Sequence, residues 1–187
     1  MKTIIKMLIT LSVIGIISGG LLSEISEWAD PQIAAHRKAA TEEAVYQVQP
    51  QAKSYEQLNL DFEVYKVFDE NGNSLGYALP YEGNGFQGKI RLMAGLNEEL
   101  TQLTGLQILE QIETPGLGTK VVEKPFTDQF IDLSTEPQVN WVKGVDPSNP
   151  NEIQAITGAT ISSKSVVFIL NDGIKKLRSV ENAGGVK

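Results

Sequence analysis

The sequence predicts an α+β fold: a single domain of antiparallel strands with packed helices, behind an N-terminal transmembrane helix. Three observations carry that expectation. An uncharged apolar run opens the chain, period-two patterning begins near Asp61 and recurs in short segments, and an amphipathic helix closes it. The strand segments do not alternate regularly with helices, which separates α+β from a doubly wound parallel sheet. The expected boundaries are a membrane anchor over residues 1–23, a helical linker over 24–55 and the domain over 56–187.

Met7 to Ser23 carries no charge, and Ile4 and Ile5 extend the run past Lys6. Its length is near the lower limit of about 17 residues for a spanning helix. Lys6 can snorkel its ammonium to the headgroups. A cleaved signal peptide is the rival reading, but Leu21 and Leu22 continue the apolar run past the small residues Ser18-Gly19-Gly20. A retained single-pass anchor is expected, with the basic end at Lys2 and Lys6 cytoplasmic and the bulk of the chain extracytoplasmic.

Ser26 to Gln47 is rich in alanine and charge and has no glycine, with Asp30 placed as a cap and Pro31 as a first-turn residue. Its row Ile33, Arg37, Ala40, Ala44, Gln47 makes only a weak apolar stripe, and Pro50 ends the segment. Phe62 to Phe68 and Leu75 to Leu79 read as a hairpin around Asn71-Gly72-Asn73, with Lys89 to Ala94 as a third strand. Leu103 to Ile112 is a further strand-like run, and Thr119 to Ile131 a helix that Pro125 interrupts. Pro137 to Lys143 and Ile153 to Ile156 are short strand candidates. The last helix is expected over Ser162 to Arg178, with Val166, Val167, Leu170, Ile174 and Leu177 on one face.

Composition excludes whole classes of chemistry. The formal charge of −7 argues against nucleic acid as a partner. No cysteine is present, which removes disulfides, thiolate metal sites and iron–sulfur ligation, and the solitary His36 cannot make a multi-histidine metal site. Redox chemistry in this chain therefore requires an added organic cofactor. Gly83-x-Gly85-x-x-Gly88 has the letters of a dinucleotide fingerprint, but Lys89 to Met93 reads as strand where that fingerprint opens a helix. These glycines are read as a turn, the lesser reading being a loop that approaches the added cofactor.

Two short blocks remain. Glu113-Thr114-Pro115-Gly116-Leu117-Gly118 reads as a strand running into a type II Pro-Gly turn. Thr157-Gly158-Ala159-Thr160 sits where a loop becomes a helix, and a helix start offers unpaired amides and partial positive charge to an anion. From the residues alone, a helix entry capped by Ser162 or Ser163 is the preferred reading of the second block.

The two blocks in this order, about forty residues apart and behind an apolar N-terminus, resemble the FMN-binding domain of the G subunit of Rnf-type ion-translocating electron-transport complexes, shared with the C subunit of sodium-pumping NADH:quinone reductases. The resemblance spans roughly Asp61 to Arg178. It implies FMN held covalently by a phosphoester to Thr160, with Thr157, Gly158 and Ala159 forming the attachment loop. It also implies that the upstream block lines the flavin, with Thr114, Leu117 and Gly118 as contacts and Glu113 orienting the loop. Trp141 and Lys143 are weaker assignments, an indole beside the ring and a cation near the ring or its phosphate; the bland readings are a core aromatic and a solvated charge. One departure stands out: Gln154 occupies the position, three residues before Thr157, where the family usually has Asp.

A threonine hydroxyl is a weak nucleophile and no His or carboxylate base is evident beside Thr160, so the chain is expected to be the substrate of a separate flavin transferase. The resemblance implies an electron relay among the other membrane and redox subunits of a complex that couples ferredoxin and NAD⁺ chemistry to ion movement, rather than a stand-alone enzyme. Two alternatives stay open: an exported, membrane-tethered binding module without covalent flavin, and a flavinylated carrier outside such a complex.

Overall fold

The computed structural model describes residues 2–182. Met1 and the last five residues of the expected domain lie outside the described residues. The chain forms two compact units, Met1–Ala40 and Thr41–Lys187.

A single helix, α1 (Lys2–Val48), runs unbroken through the expected anchor and into the expected linker, and Pro31 lies inside it rather than at its first turn. Magnitudes explain the difference. Proline in a helix interior costs about 3 kcal/mol, whereas nucleating a second helix carries a statistical weight of about 10⁻³, or about 4 kcal/mol. Continuing through Pro31 is therefore cheaper than stopping and restarting. The N-terminal part of α1 is long and apolar enough to cross a membrane by length and composition.

The folded unit begins earlier than position 56. Thr41, Ala44, Val45 and Val48 are buried, at the helical spacing of one face. Of the row expected from sequence, that face contains only Ala44. Its residues pack on Tyr65, Val67, Ala78 and Met93 of the sheet, and Val48 at its end lies over Gly95 and Gly105. After Pro50 the chain enters β1 (Ser54–Gln57), which sequence patterning missed because its burial does not alternate.

Five antiparallel strands follow in sequential order: β1, β2 (Tyr65–Phe68), β3 (Ser74–Asn84), β4 (Lys89–Leu96) and β5 (Leu103–Gln111). The central strands are covered on both faces. On one face Tyr77 and Leu79 of β3 and Ile90, Leu92, Ala94 and Leu96 of β4 join the main core. On the other, Ala78 and Met93 pack with Ala44, Val45 and Val48 of α1. Gln49, buried after α1, donates its carboxamide to the carbonyls of Leu96 and Tyr77, at 2.9 and 3.4 Å, which fastens the helix end over a register shift at Gly95/Leu96.

The region expected as one helix over Thr119–Ile131 is instead a 3₁₀ turn at Gly118–Val122, a short α2 (Lys124–Thr127) and a second 3₁₀ turn at Asp128–Phe130. Pro125 takes the first turn of α2, where its missing N–H leaves no helical bond unmade. β6 (Asn140–Val142) and β7 (Glu152–Gln154) form a separate pair whose strands are parallel, a departure from the all-antiparallel expectation. The last helix, α3 (Thr160–Asn182), starts two residues earlier than expected, with Thr160 as its first residue. Val166, Val167, Leu170, Ile174 and Leu177 are all buried against the main core. Each contributes about 1.5–3 kcal/mol by leaving water, which fixes the start of α3 and hence the position of Thr160.

Candidate functional site

The loop Glu113–Gly118 leaves β5 and turns sharply. Gly116 has φ +74°, and the Leu117 amide donates to the Thr114 carbonyl at 3.2 Å, the signature of the type II turn that Pro115-Gly116 encodes. Thr119 Oγ1 accepts from the Gly116 amide at 3.0 Å and stiffens the turn. The Thr157–Thr160 loop reaches the same place from the other side. Gly158 has φ +85°, a conformation L side chains adopt only with strain, and an added Cβ would lie 3.3 Å from Leu117 Cδ2.

Glu113 joins these loops. Its carboxylate is buried, and Oε1 accepts from the amides of Phe86 and Gln87 at 2.8 and 3.1 Å. Oε2 accepts from the Ser162 hydroxyl at 2.6 Å. Ser162 therefore does not cap α3, and neither does Ser163, whose hydroxyl donates to the Ala159 carbonyl and accepts the Ile156 amide. The residue before the helix is Ala159, which has no side-chain acceptor. Among the described residues no side chain caps the amides of the first turn of α3, which carry the positive end of a helix of 23 residues.

Between the loops lies a recess of about 330 Å³ lined by Phe86, Thr114, Leu117, Gly118, Lys143, Gly158, Ala159, Thr160, Ile161 and Ser162. Seven of the nine residues expected from sequence line it. Thr157 is exposed and lines a neighbouring recess with Lys120, Phe126 and Gln154. Trp141 does not line the recess; its ring is half-buried against the main core, and Lys164 Nζ sits 4.8 Å from its centroid. Phe86, Ile161 and Ser162 are additions. Phe86 was hidden because Gly83–Gly88 reads locally as a turn, and only the Glu113 contacts, 26 and 27 residues away, bring it to the site.

The recess suits an anion with an apolar body. Among the described residues its lining holds one cation, Lys143, and no carboxylate, and Lys143 makes no ion pair there. Phe86, Leu117 and Ile161 are exposed large apolar side chains around it. The Thr114 hydroxyl faces Gln87, with Oγ1 to Oε1 at 3.1 Å. Gly118 is buried at the back, where a Cβ would meet Ser162 Oγ at 2.7 Å and Glu113 Oε2 at 2.9 Å. No group of His, Asp or Glu among the described residues is arranged to hold a metal.

Comparison with known proteins agrees with this geometry. An FMN-binding domain family matches residues 85–175, the stretch that supplies every lining residue of the recess. The G subunit of an ion-translocating oxidoreductase complex from Methanosarcina acetivorans is 31% identical over 189 residues, covering 96% of this chain and 97% of that protein. The G subunit of a Na⁺-translocating ferredoxin:NAD⁺ oxidoreductase complex from Acetobacterium woodii is 37% identical over 114 residues, 60% of this chain and 54% of that one. This chain thus spans nearly all of the first relative and about half of the second. Among solved structures, NqrC from Shewanella oneidensis superposes with a TM-score of 0.56 at 20% identity, covering 68% of this chain and 67% of that chain, which supports the fold. With its pocket-forming stretch matched and its length aligned almost end to end with a G subunit, this chain belongs to the FMN-binding domain family of the Rnf-type G subunits and the quinone-reductase C subunits.

Proposed function

We propose that this chain is a membrane-anchored electron-relay subunit of an Rnf-type ion-translocating complex, carrying FMN through a phosphoester on Thr160. The observation that carries the reading is the placement of Thr160 at the first turn of α3, on the wall of a recess with an apolar rim whose lining, among the described residues, holds one cation without an ion pair and no carboxylate.

The residues present fit the group. The uncapped amides of the α3 first turn suit the remaining negative charge of a phosphodiester. Leu117 and Phe86 offer apolar surface to the ring system, the Thr114 hydroxyl a polar edge, and Gly118 a floor with no Cβ. At about 330 Å³ the recess is at the small end of ligand sites, about 300–1,000 Å³, so part of the ring stays open to a partner. When bound, FMN supplies reversible electron uptake, which no side chain of this chain can.

Among the described residues no His or carboxylate lines the recess beside Thr160, so activation of its hydroxyl falls to a separate flavin transferase. That enzyme passes the FMN unit of FAD to Thr160 Oγ1; AMP leaves and the hydroxyl proton is released. Lys2 and Lys6 at the start of α1 favour a cytoplasmic N-terminus and an extracytoplasmic domain. Its electron donor and acceptor are other subunits of the complex.

The test is the intact mass of the full chain coexpressed with a flavin transferase, followed by peptide mapping. The expected gain is about 438 Da, FMN less one water, on the peptide that holds Thr160. Thr160→Ser should keep the adduct and Thr160→Ala should lose it while the chain stays folded. An unmodified wild-type chain, or FMN that persists in Thr160→Ala, overturns the site and leaves a membrane-tethered binding module.

A further inference from the structure

Lys143, the recess cation, is the first residue of a turn that follows β6 and runs through Gly144, Val145 and Asp146 to Pro147. That turn is exposed, and Gly144 has φ +70°. Among the described residues, the hydrogen bonds that tie positions 143–147 to the rest of the chain come from a single group, the carboxamide of Gln154. Its Nε2 donates to the Val145 carbonyl at 2.9 Å and lies 3.5 Å from Asp146 Oδ1.

Gln154 is itself held firmly. It pairs with Val142 across the parallel β6–β7 ladder. Its amide donates to Gln129 Oε1 at 2.7 Å, and Gln129 Nε2 donates back to the Gln154 carbonyl at 3.3 Å. The neighbouring Ala155 amide donates to the Val142 carbonyl at 2.8 Å. A rigid strand residue thus reaches one side-chain amide out to an otherwise untethered turn.

The chemistry of that contact is specific. Both groups presented by the turn, a carbonyl and a carboxylate, are acceptors. Only a donor serves them; aspartate at 154 would set a second carboxylate against Asp146 and has no proton to give the Val145 carbonyl. We propose that Gln154 is a positioning residue: its carboxamide latches the Lys143 turn and so holds the Lys143 ammonium at the mouth of the recess, where it sets the electrostatic field on the bound group. Gln154 is thus a working part of this chain's own arrangement rather than a lost carboxylate. The proposal rests on the reading that the recess holds FMN.

The experiment uses the full chain and two readouts. The first needs no flavin: trypsin cleavage of the Lys143–Gly144 bond in the folded protein, followed by mass spectrometry of the fragment that begins at Gly144. Loss of the latch in Gln154→Asp should speed this cleavage by roughly five- to tenfold, the worth of one hydrogen bond. Asp146→Asn in that background supplies the missing donor and should slow it again. The second readout is the midpoint potential of the flavin-loaded protein. Lys143→Gln should lower it, since a cation favours the reduced, more negative ring; Gln154→Asp should lower it in the same direction, and the added Asp146→Asn should restore it.

Unchanged cleavage in Gln154→Asp overturns the latch. Faster cleavage with an unchanged potential in Gln154→Asp, while Lys143→Gln shifts it, overturns the positioning role. A wild-type chain that takes up no flavin overturns the functional reading and with it the electrostatic half of this proposal, while the cleavage series still decides the latch.

Discussion

Ser162 Oγ lies 2.6 Å from Glu113 Oε2, a buried contact between residues 49 apart in sequence. It ties the first turn of α3, two residues past Thr160, to the loop that forms the opposite wall of the recess. The same carboxylate holds the Phe86 and Gln87 amides, so three chain segments meet on one side chain. The recess is therefore set by a buried polar clamp and not by loop conformation alone. Such a clamp is valuable only while every partner is present, because an abandoned buried charge is expensive.

The clamp predicts an ordering of variants. Ser162→Ala leaves Oε2 with one donor fewer and should cost about 1–3 kcal/mol in urea unfolding of the detergent-solubilised chain. Glu113→Ala strands two backbone amides and a hydroxyl and should cost more than Ser162→Ala. Glu113→Gln keeps an oxygen for the Phe86 and Gln87 amides and lets the Ser162 hydroxyl turn to accept, so it should cost least of the Glu113 changes. The pair should couple by about 0.5–3 kcal/mol in a double-mutant cycle; additive effects would show that the contact does not bind the two loops.

Two glycines of the recess should respond differently to alanine. At Gly118 the new Cβ would meet Ser162 Oγ at 2.7 Å and Glu113 Cβ at 2.8 Å, so the clamp itself has to move. Overpacking of that kind costs about 1–3 kcal/mol, and flavin incorporation should fall with stability. At Gly158 the Cβ meets only Leu117 Cδ2 at 3.3 Å, the end of an exposed side chain that can shift. Its cost is the left-handed backbone at φ +85°, about 1–2 kcal/mol. Flavin incorporation and unfolding of both variants check the contrast: equal losses of incorporation would mean that the clamp does not set the recess.

Much of the architecture was legible because it rests on local pattern. The buried face of α3, the Pro115-Gly116 turn and the apolar start of α1 each follow from a period or a dipeptide whose physics acts within a few residues. The misses share a different origin. Asp30-Pro31 carries a helix-start signal, yet intact helix on both sides overrides it. Thr41, Ala44 and Val48 form a core face only through partners distant in sequence: Arg91 for Thr41, Ala78 and Met93 for Ala44, and Gly95 and Gly105 for Val48. Phe86 joins the recess, and Glu113 becomes a clamp, only through contacts 26 to 49 residues away, for which no local spacing exists. Trp141 was placed near the site by proximity in sequence and Thr157 by the attachment motif; Trp141 packs on the core, and Thr157 lines the neighbouring recess.

The loop beyond the Lys143 turn should loosen in acid. Hydrogen bonds from the Asn149 carboxamide and the Ser148 amide hold the Glu152 carboxyl below its ordinary value of 4.5. A depressed folded-state pKa contributes order that is present above 4.5 and lost as pH falls through the folded value. The backbone amide NMR shifts of Ser148 and Asn149 should therefore titrate together with a midpoint below 4.5, and Glu152→Gln should abolish the transition. A midpoint at or above 4.5 would mean that these bonds do not persist in solution.

The end of α1 offers a test of how the two faces of the sheet divide their tasks. The Val48 carbonyl accepts from Thr104 Oγ1 at 2.7 Å, and the last turn of α1 lies so close to β4 that a Cβ on Gly95 would sit 3.0 Å from the Val48 carbonyl carbon. That obstacle is backbone and cannot swing aside. Gly105, its partner across β4 and β5, is less tight: a Cβ there would stand 3.3 Å from Val48 Cα. Gly95→Ala should thus push the helix end off the sheet, costing about 1–3 kcal/mol from overpacking and about 1 kcal/mol more from the Thr104 bond. Gly105→Ala should cost less. Faster amide exchange over Thr41–Val48 in Gly95→Ala, with Gly105→Ala near wild type, is the expected result. Because Ala78 and Met93 face α1 whereas Leu79 and Leu92 join the core under α3, the recess should keep its shape and still take up flavin in both variants. Loss of flavin in Gly95→Ala at a temperature where the domain remains folded would show that the sheet transmits the displacement from α1 to Thr160.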